Sequence, residues 1–375
     1  MRQKVLSHED LWDLCFGAAV LGTGGGGSPK VGCDYLNSVV NTGKRVVLAN
    51  LEDIPDDAII ACPAGVASIA PTERAKQIDR ILDQLIATEK NPYFEGLRIL
   101  EEYIGRKFYG CLPIEMGGFN TACAAWTAAL ADIILVDADP VGRAIPEIEL
   151  QTFNIFNIPI TPMVLSDFFG NVAIVTRVEN DKAAEEIARA MAVIGGAVSF
   201  VGRPIEGREL KKSVIPGTVS KAMTIGKALR EAKAKGLDPV QEVIKAAGGI
   251  MLFEGIVKKV EWNDSGGFMW GYHFIEGRGK YLGHELKIWF KNENLISWYD
   301  EKPFVACPDL LCIIDSSDGY PITNTTMSEG RNVVVFGVPA YEIWKTEKGL
   351  KLLSPAHFGY EGEFKLLNTT AKSDI

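Results

Sequence analysis

Residues 21–32 read LGTGGGGSPKVG, and Gly22, Gly24 and Gly27 meet the G-x-G-x-x-G spacing of a dinucleotide-binding loop. That loop needs a strand before it, because the carboxyl end of the strand delivers the pyrophosphate to the next helix. The preceding residues have a different period. Leu11, Leu14, Cys15, Ala18 and Leu21 recur at steps of three and four, the apolar face of a helix, and Ser7 with Asp10 three residues on forms a capping start. The glycines therefore follow a helix, and NAD is a poor ligand for them. ATP phosphates fit no better, since Ser28 and Lys30 stand in the wrong order for a P-loop. No nucleotide cofactor is expected. A bare loop between helices still offers backbone amides to a ligand, and Gly24, Gly25, Gly26 and Gly27 are read as a wall of a small-molecule pocket. The alternative is a helix C-cap and a loop without ligand.

Downstream, strand-like runs at 45–49, 58–63, 108–115 and 132–137 alternate with helical patterns at 34–40, 73–90, 94–103 and 120–131. Such alternation predicts an α/β layer with a mostly parallel sheet. A strand from Asn171, a helix over 181–194 ending at Gly195–Gly196 and a helix over 219–235 ending at Gly236 continue it. From about Gly249 to Pro339 the chain becomes strand-rich, with turns at 264–267 and 318–319, the pattern of a compact antiparallel barrel or sandwich. With 375 residues, two domains are expected. They are placed at 1–168 and 169–375, the second comprising an α/β part to 248, a β-rich part to 345 and an irregular tail.

The chain carries a net charge of −9 and no basic cluster, which argues against nucleic acid or an anionic membrane as partner. No signal-peptide pattern opens it and no apolar run spans a bilayer, so a cytoplasmic location is expected. The seven cysteines are odd in number and lack C-x-x-C spacing, and the four histidines share no metal-binding helical spacing. Exposed barrel edges and small-residue helices make a homo-oligomer an open expectation.

Several stretches together resemble one family from about Leu11 to Tyr360: LGTGGGGSP, PIEMGGFNT, VDADPVGRAIPEIELQTF, IPGTVSKAMTIGKAL, LFEGIV, FKNENLISW, PDLLCIID and HFGYE. The resemblance is to the S-methyl thiohydantoin desulfurase family, often encoded beside hydantoinase or oxoprolinase components. It implies an N-terminal α/β domain, a separate C-terminal domain, and hydrolysis of an S-methylated thiohydantoin to a hydantoin and methanethiol. Two other functions stay open: an accessory subunit of a hydantoinase/oxoprolinase-like assembly, and a non-catalytic small-molecule binding protein.

The densest chemistry lies in VDADPVGRAIPE. Asp137 falls at the end of a buried strand, followed by Asp139, Arg143 and Glu147. These residues offer a general base, an anion clamp and an oxygen-rich set for a divalent metal, although nothing demands a metal. Equally, the aspartates would cap the next helix and Arg143 would pair with one of them. In PIEMGGFNT, Glu115 ends a strand, Gly117 and Gly118 allow close backbone approach, and Asn120 starts a helix whose amides can hold an oxyanion. A glycine turn with an Asn cap explains the same residues. Thr218 near the start of the 219–235 helix and Asn292, Glu293 and Asn294 in KNENLISW add potential polar contacts to a substrate, or a cap and a bulge or turn. The expected assignment is Asp137 or Asp139 as base with Glu115 on the same rim, glycine and Gly117–Asn120 amides on developing charge, and Arg143 on a substrate carboxylate.

Overall fold

The computed structural model describes residues 3–67, 77–78, 81, 84–364 and 366–367. Helix α1 (His8–Leu21) starts at a complete capping box, Ser7 accepting from Asp10 N and the Asp10 carboxylate from Ser7 N. Helix α2 (Pro29–Val40) begins earlier than the expected 34–40, because Ser28 caps it and Pro29 occupies its first turn. Helices α3 (Pro92–Ile104) and α4 (Asn120–Leu130) follow, then α5 (Asp181–Gly195), α6 (Thr218–Lys235) and α7 (Pro239–Ala247). Of the amphipathic helix expected over 73–90, residues 77–78, 81 and 84–85 are helical and 86–90 form turns, and the rest lie outside the described residues.

A nine-stranded sheet carries the N-terminal part. Its strands are β1 (Gln3–Val5), β2 (Val47–Asn50), β3 (Ile59–Ala67), β4 (Gly110–Cys111), β5 (Ile134–Asp139), β6 (Met163–Asp167), β7 (Val172–Val175), β8 (Ala197–Glu206) and β9 (Ile215–Pro216). The order is β1-β2-β5-β4-β3-β8-β6-β7, with β9 on β5. Its centre, β2-β5-β4-β3, is parallel, and strands added on both sides run antiparallel. Side chains alternate across β5: Leu135 packs towards the helices, while Ile134, Val136 and Ala138 pack on the opposite face. The strand expected over 108–115 is only Gly110–Cys111. Beyond it Pro113 cannot donate to a ladder, and the chain leaves the sheet in a loop that carries Glu115.

The expected boundary at 168/169 cuts this sheet. Strands β7 and β8 lie beyond it in sequence, yet β7 pairs with β6, and β8 pairs with both β3 and β6. The sequence reading made no strand of 197–206.

The second sheet comprises β10 (Ile250–Ser265), β11 (Phe268–Gly277), β12 (Glu285–Lys291), β13 (Glu293–Tyr299), β14 (Lys302–Ala306), β15 (Leu310–Asp315) and β16 (Asn332–Val338). It is wholly antiparallel, ordered β14-β13-β12-β11-β10-β16-β15. It curls until β13 and β14 approach β15, a half-barrel. The hairpin turn falls on Gly266 and Gly267, at φ +65° and +80°, a pair of left-handed residues that suits the twist of the strands. The tail contains a short helix, Glu347–Leu352, and its Phe358 and Tyr360 pack on Trp289. Among the described residues no helix is long and apolar enough to cross a membrane.

Helix α1 joins the two parts. It packs against α6 and β15, and one hydrophobic cluster runs from Leu11 and Leu14 through Ile225 to Cys312 and Phe336. The α1–α6 crossing depends on two glycines. A Cβ on Gly17 would stand 1.7 Å from the Ala222 carbonyl oxygen, and one on Gly226 would stand 1.9 Å from that of Asp13. Gly17→Ala should therefore destabilise the fold by about 2–3 kcal/mol or more, since backbone blocks relaxation. The test is a denaturant titration, and an unchanged midpoint would contradict this account of the crossing.

Candidate active site

A cavity of about 430 Å³ opens where the glycine loop, the upper ends of β3 and β8, the start of α4 and the β12–β13 turn meet. Its walls are mostly apolar and aromatic. Three carboxylates line it: Glu185, which is paired with Arg189, and two far apart in sequence, Glu115 and Glu293.

Glu115 is 5% exposed and held at both oxygens. Asn120 Nδ2 donates to Oε1 at 2.7 Å, and the Ile145 amide donates to Oε2 at 2.8 Å. Asn120 is itself oriented by the Gly65 amide, which donates to its Oδ1 at 3.2 Å. Burial raises the Glu115 carboxyl to about 7 against the pull of those donors. Glu293, the first residue of β13, is 2% exposed, and its Oε2 has no hydrogen-bond partner. Burial, reinforced by the charge of Glu115, pushes Glu293 well above the ordinary carboxylate range. Two acids facing one dry space do not both ionise. Glu115 has two fixed donors and Glu293 has an unpartnered oxygen, so the proton resides on Glu293.

Gln151 also borders the cavity. Its Nε2 donates to the Ile114 carbonyl at 3.0 Å, which leaves its Oε1 as a buried acceptor without a partner.

Gly24, Gly25, Gly26 and Gly27 all line the cavity. They pack more closely than any side chain allows. A Cβ on Gly25 would lie 1.8 Å from Glu293 Oε1, and one on Gly26 would lie 2.4 Å from the Gly117 Cα. Gly26 also needs a left-handed φ of +69°. Much of the loop's hydrogen bonding is internal to the protein. The Gly25 amide donates to Gly22 O at 2.9 Å, and the Gly24 carbonyl accepts from the Asn324 amide at 2.8 Å. The Gly26 carbonyl accepts from Phe119 N at 2.9 Å and Asn120 N at 3.2 Å. These last two bonds correct the expectation of a free helix end: the amides at the start of α4 are capped by the glycine loop. Gly117 and Gly118 serve that contact. Neither lines the cavity, and each meets the glycine-loop backbone where a Cβ would clash. Asn292 does line it, in a left-handed turn (φ +56°) whose carbonyl accepts from Asn324 Nδ2 at 2.7 Å.

Five other expected site residues lie outside the cavity lining. Asp137 accepts from the Ser220 amide at 2.8 Å and from Ser220 Oγ at 2.5 Å, which satisfies the first turn of α6. Asp139 closes the following turn by accepting from Val141 N and Gly142 N, and buried Thr218 sits beside it. Strand β9 pairs with Ala138 and Asp139, so the end of β5 is covered by protein where the sequence suggested an open rim. Arg143 is fully buried, and its donors go to carbonyls: Nε to Ala144, Nη1 to Asp309, and Nη2 to Asn294 and the Thr23 hydroxyl. It binds the protein to itself and has no face for a substrate carboxylate. Glu147 takes the Lys291 ammonium and His357 Nε2, the latter at 2.7 Å. The oxygen set Asp137, Asp139 and Glu147 therefore does not assemble. Among the described residues the side chains that come within metal-ligand reach of one another are Glu147, Glu149 and His357, and Lys291 already neutralises Glu147.

Gln151 and the aromatic wall carry no signal of their own in the sequence. Glu293 is expected from sequence only as one of the polar contacts or turn residues of KNENLISW, and the structure makes it a buried acid directly after the left-handed Asn292.

Two family models, described as the S-Me-THD-like N-terminal and C-terminal domains, match residues 9–177 and 179–367. A crystal structure of a protein from Chromobacterium violaceum has the same fold, with a TM-score of 0.78 at 20% identity over 97% of this chain and 100% of that one. No curated protein matches.

The role of Arg143 is open to a direct test. Arg143→Leu leaves three buried carbonyls without their donor and should cost at least about 3 kcal/mol of stability in a denaturant titration. A fold of unchanged stability that had lost affinity only for anionic ligands would restore the substrate-anchor role.

Proposed function

This chain belongs to the S-Me-THD-like family, and we propose that it hydrolyses an S-methylated thiohydantoin, releasing a thiol and leaving a hydantoin. The observation that carries this reading is the pairing of Glu115 and Glu293 across one cavity, one carboxylate held by donors at both oxygens and the other with its Oε2 unpartnered. Hydrolysis at the carbon between two ring nitrogens needs a base for water and an acid for nitrogen, both sheltered from bulk solvent.

The pair supplies these roles in two steps. In the first, Glu293 gives its proton to the imine nitrogen while Glu115 takes a proton from water, whose oxygen bonds to the ring carbon. In the second, the new hydroxyl returns a proton to Glu293 as the carbonyl forms, and the carbon–sulfur bond breaks. The departing thiolate takes the proton held by Glu115. Both acids end as they began, and the balance is ring plus water giving hydantoin plus methanethiol. Tyr35 and Phe119, edge to face at 5.6 Å, offer an aromatic surface for a planar ring.

Purified protein should release thiol from S-methyl thiohydantoin without ATP or a partner. Absence of release would overturn the reading. Glu115→Gln and Glu293→Gln should each lower kcat by about 100-fold or more while the fold persists. Because Glu115 must be ionised to accept a proton and its carboxyl sits at about 7, activity should rise with pH through that value. An acid limb that stays near the ordinary carboxylate range would remove Glu115 from the base role.

A further inference from the structure

The parent S-methyl thiohydantoin has about eight non-hydrogen atoms, whereas cavities of roughly 300–1,000 Å³ bury drug-sized ligands. At about 430 Å³ this cavity has room for the ring and a substantial substituent. The space beyond the two acids is apolar. Val66, Ile114, Ile148 and Phe200 belong to one hydrophobic cluster or pack on it, and Val198 and Phe168 extend the wall. The unmet polar atom described on this side is Gln151 Oε1, an acceptor that offers nothing to a carboxylate. Arg189 and Glu185, at the cavity edge, are bound to each other through Arg189 Nε at 2.8 Å. The remaining Glu185 oxygen accepts from the Ile148 amide at 2.9 Å, and Arg189 Nη1 donates to the Gly267 carbonyl at 2.9 Å. The pair neutralises itself at the cavity edge, with three of the five Arg189 N–H groups committed to Glu185 and Gly267.

We propose that the substrate ring carries a bulky, uncharged apolar arm, of benzyl size, on its carbon outside the amidine unit, and that Val66, Ile114, Ile148, Phe168, Val198 and Phe200 form the compartment that holds it. The proposal rests on the reading that the ring itself sits between Glu115 and Glu293. An apolar arm gains by leaving water, and a charged arm would be desolvated against a mostly apolar wall.

The test compares calorimetric binding of four unreactive hydantoins: unsubstituted, 5-methyl, 5-benzyl and 5-carboxyethyl. Thiol release from the matching S-methyl thiohydantoins is measured in parallel. The benzyl compound should bind between about ten- and a hundredfold more tightly than the unsubstituted ring, and the carboxyethyl compound no better than the methyl one. Ile148→Trp should bring the benzyl advantage close to unity by filling the compartment. Should that variant fail to fold, Ile148→Ala should shift preference from benzyl towards a naphthylmethyl arm. Equal binding of all four, or preference for the carboxylate, overturns the proposal. Thiol release without any ranking removes the compartment and leaves the hydrolase reading intact. The predicted ranking with no thiol release removes the hydrolase reading and leaves the compartment.

Discussion

The buried guanidinium of Arg143 is the constraint from which the site follows. One planar group with no exposure gathers the Thr23 hydroxyl at the mouth of the glycine loop, the Asn294 carbonyl of β13 and the Asp309 carbonyl that precedes β15. A charge this deep is tolerated because carbonyl oxygens surround it. Because Thr23 and Asn294 share one cation, the glycine loop and β13 cannot separate, and the Thr23 carbonyl adds a 2.7 Å bond from the Asn294 amide. Glu293, the neighbour of Asn294, is thereby delivered against Gly25. The tetraglycine is then a requirement of contact: Asn324, Glu293, Gly117 and Phe119 each press on one of its four members where a Cβ would have to be.

The same geometry separates the acids by role without calling on different residue types. Glu115 has a donor at each oxygen, whereas Glu293 has the Gly26 amide for one oxygen, none for Oε2, and the field of Glu115 against its ionisation. Environment alone makes one a proton acceptor and the other a proton store. Asp139, also raised to about 7 by burial, shows that a displaced titration does not identify a site. Both of its oxygens are committed to a turn, and it does not line the cavity.

Local features were legible in the sequence, and long-range partners were not. Ser7 and Asp10 announced α1, Gly236 its left-handed stop for α6, and the change of period near residue 249 announced the antiparallel half. The helix before the glycines excluded a dinucleotide loop, and a helix is what precedes them. Misreadings arose where one residue type has two equilibrium uses. An aspartate at a strand end serves a cap or a base equally well, and Asp137 serves Ser220. An arginine in a polar motif suggests an anion, yet backbone oxygens satisfied Arg143. Glu293 was legible as a polar contact but not as the second acid, because that role depends on Gly25 and Glu115, both more than a hundred residues away in sequence. Strand β8 was missed for a related reason: its ladder with β3 joins residues such as Val66 and Val198, and no local pattern records that distance.

Strand β8 also governs how the protein is made. Until residue 206 has left the ribosome, β3 has β4 on one side and an open edge on the other. A nascent chain of the first 177 residues therefore exposes a hydrogen-bonding margin to any neighbouring strand. The β3 edge is closed only when β8 folds back between it and β6, so synthesis must run well into the second family-model region before the first becomes safe from aggregation. Cutting the gene at the junction of the two regions would leave both products with an unfinished sheet.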